Sequence, residues 1–400
     1  MDPGLPRPVW LLGWASLFTD AATEMIYPLL PIYLSRVLGA GAMSLGVIEG
    51  VAEGVNSLFK ILSGRLSDRW SRRKPIVIAG YAISSAARPF IALTMSWVQV
   101  LAIRVLDRTG KGIRGAPRDA MLAEFATSGM RGRVFGFHRA MDHAGAVIGP
   151  LIATAFLFVM PGQYRLLFAC TAIPGALAVW MLFRVPEERR SRQVGAENVS
   201  DGPAPSREVT TSKLPARFYG LLGILLLFSL ANSADAFLLL RLSEAIGEDV
   251  YIPLLWSLLH IVKASLSIYG GALSDRVGRK AVIVAGWSVY SLVYLGFAFS
   301  TSATALVTWF LIYGVYFGLA EGTEKALVAD LAPSAQRGTA FGFYNAALGV
   351  GTLLASVLFG VLYERFGPAT AFGTGVGFAV AATLLLLTLP VRAVPGADRH

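Results

Sequence analysis

Apolar runs long enough to cross a bilayer, about 17–25 residues each, recur along the whole chain. They lie near 9–34, 43–64, 75–96, 98–121, 134–159, 164–184, 217–240, 251–273, 281–300, 304–328, 340–362 and 369–390. The pattern predicts an all-α integral membrane protein with twelve transmembrane helices. One polar interval, 185–216, divides them six and six. It opens on Glu-Glu-Arg-Arg-Ser-Arg at 187–192 and continues in Ser, Gly and Pro with almost no apolar residues. Such a segment has too little to bury and reads as a linker rather than a domain. The expected organisation is an N-terminal six-helix bundle at 1–184, the linker at 185–216 and a C-terminal six-helix bundle at 217–400.

Composition agrees with this reading. Of the 400 residues, 55% are hydrophobic and 15% charged, against roughly 45–50% and about 25% in soluble domains. The net charge of +10 is assigned to topology rather than to nucleic acid. Arg65, Arg69, Arg72, Arg73 and Lys74 follow helix 2, and Arg131 and Arg133 follow helix 4. Arg189, Arg190, Arg192, Arg207 and Lys213 lie in the linker. Arg276, Arg279 and Lys280 follow helix 8, and Arg337 follows helix 10. All these loops have one parity, and the opposite loops carry chiefly Arg36, Arg165, Arg241 and Arg365. Basic loops stay in the cytoplasm, so both termini and the linker are expected there, in a multi-pass protein of the cell inner (plasma) membrane. The first apolar run is too long for the core of a cleaved signal. The single cysteine, Cys170, excludes an intrachain disulfide and reads as a packing residue.

The two halves repeat one another. Gly64-Arg-Leu-Ser-Asp68-Arg-Trp-Ser-Arg-Arg-Lys74 matches Gly271-Ala-Leu-Ser-Asp275-Arg-Val-Gly-Arg-Lys280. Arg131-Gly-Arg-Val-Phe-Gly-Phe137 matches Arg337-Gly-Thr-Ala-Phe-Gly-Phe343, and Leu11-Leu-Gly with Phe18-Thr matches Leu221-Leu-Gly with Phe228-Ser. Parallel repeats imply a pseudo-two-fold axis along the membrane normal, with a solute cavity between the halves.

With these motifs in place, the chain resembles the major facilitator superfamily over essentially its whole length. The loop beginning at Gly64 is similar to that family's signature between helices 2 and 3, with Ser71 where glycine is usual. The second copy keeps glycine, as Gly278. The resemblance implies a conformational latch formed by Gly64, Asp68, Arg69 and Arg72 and, in the second copy, by Gly271, Asp275, Arg276 and Arg279. Arg108-Thr-Gly-Lys111-Gly112 is similar to the helix 4 motif whose arginine is implicated in proton coupling, and Arg104 offers an alternative register. Gly145-Ala-Val-Ile-Gly149-Pro150 in helix 5 resembles the antiporter motif of drug exporters, but continues with Ala153 and Thr154 where glycines are usual. Packing alone also explains small residues there.

Charge inside apolar spans is costly and calls for a partner or a watery cavity. Helix 4 carries Arg104, Asp107, Arg108, Lys111, Arg114, Arg118 and Asp119 within an arc of roughly 140°. Pro117 raises a kink before the last two. Asp20 and Glu24 share a face of helix 1 and are the expected counter-ions of Arg104 or Arg108. Proton coupling is therefore sought at Asp20, Glu24 and Arg108. Glu49 and Glu53 share a face of helix 2 near its outer end, where water can reach them. His138 and Asp142 share a face of helix 5. Lys263 sits mid-span in helix 8, with Asp235 as the expected partner. Tyr313, Phe317, Glu321 and Glu324 line one side of helix 10, which suits an amphipathic ligand and equally suits plain packing. The expected substrate cavity thus draws on Arg104, Lys111, His138, Asp142, Asp235, Lys263, Tyr313, Tyr316 and Glu321.

Enzyme readings find little. Arg-Thr-Gly-Lys-Gly has neither the preceding glycine nor the following Ser/Thr of a phosphate loop, and no Cys/His cluster has metal-ligand spacing. No cofactor and no metal are expected. The expected function is secondary active transport of a small solute by alternating access, with protons as coupling ion and efflux by antiport as the favoured direction. The alternatives are proton-coupled transport of an anionic solute (an organic carboxylate, phosphate ester or siderophore) in either direction, and a non-transporting membrane sensor or scaffold. The expected partners are the small-molecule substrate, protons and the lipid bilayer, with a monomeric chain and no nucleic acid.

Overall fold

A computed structural model describes residues 5–69, 73–125, 131–186, 214–332 and 337–390. Among the described residues the helices form twelve rods. Helix 1 is Arg7–Glu24, continued through Tyr27–Leu29, Leu30–Ile32 and Tyr33–Val37, and helix 2 is Ala42–Arg69. Helix 3 is Lys74–Ala87 with Arg88–Leu93, helix 4 is Trp97–Phe125 and helix 5 is Arg131–Val159. Helix 6 joins Tyr164–Cys170 to Ala172–Phe183, and helix 7 joins Ala216–Ala231 to Ala236–Ile246. Helices 8, 9 and 10 are Tyr251–Val277, Arg279–Phe299 and Ala303–Leu331. The stretch Arg337–Thr388 is divided by Gly367 (φ 81°, ψ 175°) into helices 11 and 12. There a glycine takes the positive φ and Pro368 starts the next helix, an arrangement both residues favour.

Among the described residues eight stretches are long and apolar enough to cross a membrane, the last of them, Ala340–Thr388, covering two rods. Helices 1, 2 and 4 fall short of that measure, and they are the rods that carry Asp20, Glu24, Glu49, Glu53 and the basic stripe. Helices 1–6 pack as one bundle and helices 7–12 as the other. The bundles meet along helices 2 and 11 and along helices 5 and 8. This is the architecture expected from the apolar pattern.

Helices 1 and 7 break at mid-depth. In helix 1, Pro28 and Pro31 lack backbone donors, and the chain tightens to a 3-10 turn at Tyr27–Leu29 before widening to a π turn at Tyr33–Val37. In helix 7, residues 232–234 leave the helix. Backbone groups freed in a membrane must find partners, and here they do. Tyr290 donates to the Ala231 carbonyl at 2.7 Å, and the Ala234 N–H donates to Ser356 Oγ at 3.3 Å. Neither break is visible in hydropathy. Helix 4, by contrast, runs on through Pro117 to Phe125, so Arg118 and Asp119 stay on the same helix.

The end of the molecule at which helices 2, 4, 6 and 10 finish, at Arg69, Phe125, Phe183 and Leu331, is the linker side. On the opposite, far side the bundles are tied together. Arg36 pairs with Asp249 at 2.6 Å and donates to the Ser243 carbonyl at 3.0 Å. Tyr164 also donates to Asp249. Glu364 accepts from the Met43 N–H at 2.8 Å, capping the start of helix 2 from the other bundle. On the linker side of mid-depth, Lys60, Arg139, Glu321 and Asn345 are exposed. The described conformation is closed on the far side and open toward the linker side.

Candidate functional site

Where the broken parts of helices 1 and 7 face each other, a cavity of about 420 Å³ lies between the bundles. Its N-terminal wall is Glu24, Tyr27, Glu49, Glu53, Ser57, Lys60 and Arg108. Its C-terminal wall includes Asn232, Asp235, Trp256, His260, Lys263, Phe317 and Asn345. The helix 7 break brings Asn232 and Asp235 to the lining, and the 3-10 turn of helix 1 does the same for Tyr27.

One hydrogen bond crosses the cavity. Trp256 Nε1 donates to Glu24 Oε2 at 2.7 Å, linking helix 8 to helix 1, and Tyr27 packs on the same indole at 5.1 Å. On the C-terminal wall Lys263 Nζ sits 3.3 Å from Asp235 and 3.5 Å from the centre of the Phe317 ring. Tyr313 donates to the other oxygen of Asp235 at 2.8 Å. A lysine at mid-span is thus held by a carboxylate and an aromatic face together, both of which offset its burial.

Helix 4 does not present its charges as one face. Arg104 Nη2 lies 2.6 Å from Glu49 on helix 2 and Nη1 lies 3.7 Å from Asp107. Asp107 turns to helix 3 and binds Arg88 Nε at 2.9 Å, and Arg88 reaches the Thr19 carbonyl at 3.3 Å. Arg114 stacks over Tyr81 at 4.3 Å. Arg118 pairs with Asp119 at 2.9 Å and reaches Ser16. Arg108 alone of the stripe lines the cavity.

The expected pairing of Arg104 with Asp20 or Glu24 is therefore corrected, because Glu49 holds Arg104 and Trp256 holds Glu24. Glu49 is buried rather than merely wetted at an outer end. Asp20 receives no hydrogen bond from a described side chain. It lies against the close approach of helices 1 and 5, near Gly145. Of the residues expected in the cavity, Asp235 and Lys263 line it, and Arg104 and Tyr313 stand directly behind it. His138 and Asp142 are placed elsewhere. They pair with each other at 3.5 Å, and Asp142 accepts from Ser16 on helix 1, so helix 5 turns this face to its own bundle. Tyr316 is buried among Tyr290, Tyr313 and Phe228 in the C-terminal core. Glu321 pairs with Lys325 at 2.9 Å in the exposed vestibule. Lys111, one turn linkerward of Arg108, is half-buried and outside the lining.

Residues not singled out from sequence complete the site. Arg88 was hidden in an apolar run, although a lone arginine in such a run is itself a signal. Tyr27 and Trp256 gave no signal beyond being aromatic. Of the expected latch, Arg72 and the side chains of Asp68, Arg69 and Asp275 lie outside the described residues. Gly64 lies within helix 2, Gly271 and Arg276 lie on helix 8, and Arg279 binds Asp330 at 3.4 Å and Ser274 at 2.5 Å.

In helix 5, Gly145 and Gly149 face helix 1, and Pro150 lies within the helix beside them. A Cβ added at Gly149 would stand 2.4 Å from the Ala21 carbonyl and 2.9 Å from its Cα, both backbone atoms. Gly149→Val is expected to force the two helices apart and to cost about 1–3 kcal/mol. Thermal unfolding of the purified chain checks this, and an unchanged midpoint would show that the helices part freely.

Comparison with known proteins completes the picture. The Major Facilitator Superfamily profile matches residues 12–323 and 252–399. An uncharacterized MFS-type transporter of Methanocaldococcus jannaschii is 34% identical over 397 residues, covering 96% of each chain. A Multidrug resistance protein MdtH of Photorhabdus laumondii is 25% identical over 352 residues, covering 85% of this chain and 82% of its own. The crystal structure of the nucleoside transporter NupG superposes with TM-score 0.78 at 15% identity, covering 97% of this chain and 100% of that one. A bacterial homolog of the human lysosomal transporter Spinster, inward-facing and unoccupied, gives 0.74 at 15% identity, covering 97% and 95%. With the profile spanning nearly the whole chain and the two-bundle fold shared, this protein belongs to the Major Facilitator Superfamily of multi-pass membrane transporters.

Proposed function

We propose that the chain exports a small solute by proton-coupled antiport, alternating between a state open to the linker side and one open to the far side. The basic-loop pattern makes the linker side cytoplasmic, with both termini there, in the plasma membrane. The halves 1–184 and 217–400 are the rocking bodies and 185–216 is their tether. Each chain holds a whole cavity between its own bundles, so a monomer suffices. The relatives named multidrug resistance proteins, at 25% identity, agree with export.

The observation that carries this reading is the Glu24–Trp256 bond across the cavity. A hydrogen bond to a carboxylate is roughly twice as strong as one to a neutral acceptor. Protonating Glu24 therefore weakens a tie between the two bundles, so proton uptake and bundle movement share one group. Asp20, one turn away on the same helix, is a second carboxyl on that route, and Arg108 lines the same cavity as Glu24 from helix 4.

In proteoliposomes with an entrapped pH dye, adding a transported solute is expected to drive proton movement. Glu24→Gln should reduce that signal about tenfold or more while leaving solute exchange at equilibrium. Solute uptake without proton movement, or proton movement undiminished in Glu24→Gln, would overturn the proton-coupled reading. A chain that moves no solute at all would favour a sensor or scaffold.

A further inference from the structure

The charges lining the cavity are unevenly satisfied. Every carboxylate there already receives a donor: Glu24 from Trp256, Glu49 from Arg104, Glu53 from Asn56 at 3.0 Å, and Asp235 from Lys263 and Tyr313. Of the three cations, Lys263 is spoken for by Asp235. Arg108 and Lys60 have no acceptor within ion-pair or hydrogen-bond distance among the described residues, and both point into the cavity. Arg108 is only 7% exposed. None of its nitrogens is among the buried polar atoms sealed off without a partner, so they open on the cavity, where an acceptor from outside the chain can reach them.

We infer that the transported solute is an organic anion. Its carboxylate or phosphate monoester is held by Arg108 with Lys60 beside it, and a compact aromatic body lies against Tyr27, Trp256 and Phe317. This rests on the cavity being the transport site. The planar fork of arginine accepts either anion by two parallel hydrogen bonds. A cation placed between Arg108 and Lys60 would meet two like charges. Tyr27 on the same wall and Trp256 and Phe317 on the opposite one supply aromatic surface, and about 420 Å³ is room for a small ligand rather than a long-chain lipid.

The test uses one ring system with four headgroups. 1-Naphthoate, 1-naphthyl phosphate, 1-naphthamide and 1-naphthylmethylammonium are titrated into the purified full chain, with binding read by tryptophan quenching. At least one anion is expected to bind about tenfold or more tighter than the amide, with the ammonium weakest, and the ratio of naphthoate to naphthyl phosphate tells which headgroup the site prefers. Arg108→Gln should bring the anions to the affinity of the amide while the amide still binds, which shows an intact cavity. Lys60→Gln should cost the anions a few-fold and Arg108→Lys should keep part of the preference. The inference is overturned if no anion binds, if the amide or ammonium binds as well as the anions, or if Arg108→Gln keeps the preference. If Arg108→Gln does not fold, full anion preference in both Lys60→Gln and Arg108→Lys overturns it. The titration has no gradient, so it stands whether or not the proteoliposome assay shows proton movement.

Discussion

Asp107→Leu is expected to be the most destabilising single substitution in the N-terminal bundle, costing about 3–5 kcal/mol. Asp107 is 2% exposed and accepts from Arg88 at 2.9 Å and, more loosely, from Arg104 at 3.7 Å. Together with Glu49 these four side chains form a neutral set, two cations and two anions, each less than a tenth exposed. Removing Asp107 leaves Arg104 with Glu49 and the buried Arg88 with only the Thr19 carbonyl. Because Arg88 also binds the Thr19 carbonyl, the set ties helices 1, 2, 3 and 4 at one level. The melting midpoint of the purified chain should fall by on the order of 10 °C. Arg88→Leu/Asp107→Leu should recover part of the loss, since an apolar pair leaves only Arg104 and Glu49, which neutralise each other. A midpoint within a degree or two of wild type for Asp107→Leu would show that the network is solvated and adds no stability.

The contrast between this network and its sequence reading shows what a helical pattern carries. The twelve spans were legible because each needs a run of apolar side chains whose length is set by the bilayer. The repeat was legible because Gly64 and Gly271, or Arg131 and Arg337, occupy equivalent places in two copies. The arc of charge on helix 4 was legible as well, but an arc of that width touches several neighbours. Which residue meets which depends on the rotation of each rod, and periodicity leaves that free. So Arg104 found Glu49 rather than Glu24, and Asp107 turned to Arg88. The breaks in helices 1 and 7 escaped for another reason. Hydropathy sums side chains and is blind to backbone donors, so the effect of Pro28 and Pro31 and of Asn232–Ser233 did not register. Yet those breaks put Tyr27 and Asp235 on the cavity lining. The cavity was foreseen as lying between the halves, while half of its wall was not.

Asp249→Ala combined with Glu364→Ala is expected to release the far side of the molecule and shift it toward the state open there. Asp249 gathers Arg36 from the end of helix 1 and Tyr164 from the start of helix 6, so one carboxylate of the C-terminal bundle holds two points of the N-terminal one. Glu364 holds the first turn of helix 2 in the same sense. Between these ties the backbones of helices 2 and 11 touch. A Cβ added at Gly46 would stand 2.2 Å from the Ser356 carbonyl, so the seam closes only while no side chain intervenes. These contacts exist in the far-closed state and must be absent from the far-open one, so their loss acts on the equilibrium between states rather than on folding. Arg36 is 41% exposed, which limits each tie, and the pair together should be worth about 1–2 kcal/mol. That shifts the ratio of the two states by roughly 5–30-fold. Spin labels at Val37→Cys and Glu248→Cys, in a Cys170→Ala background, report the distance across the seam. The double variant should populate a longer distance than the otherwise wild-type chain, with a melting midpoint little changed. Gly46→Val should lengthen it as well, by steric separation instead of lost charge. An unchanged distance distribution in both would mean that the far side is held by apolar packing, and the charged ties would then have no part in gating.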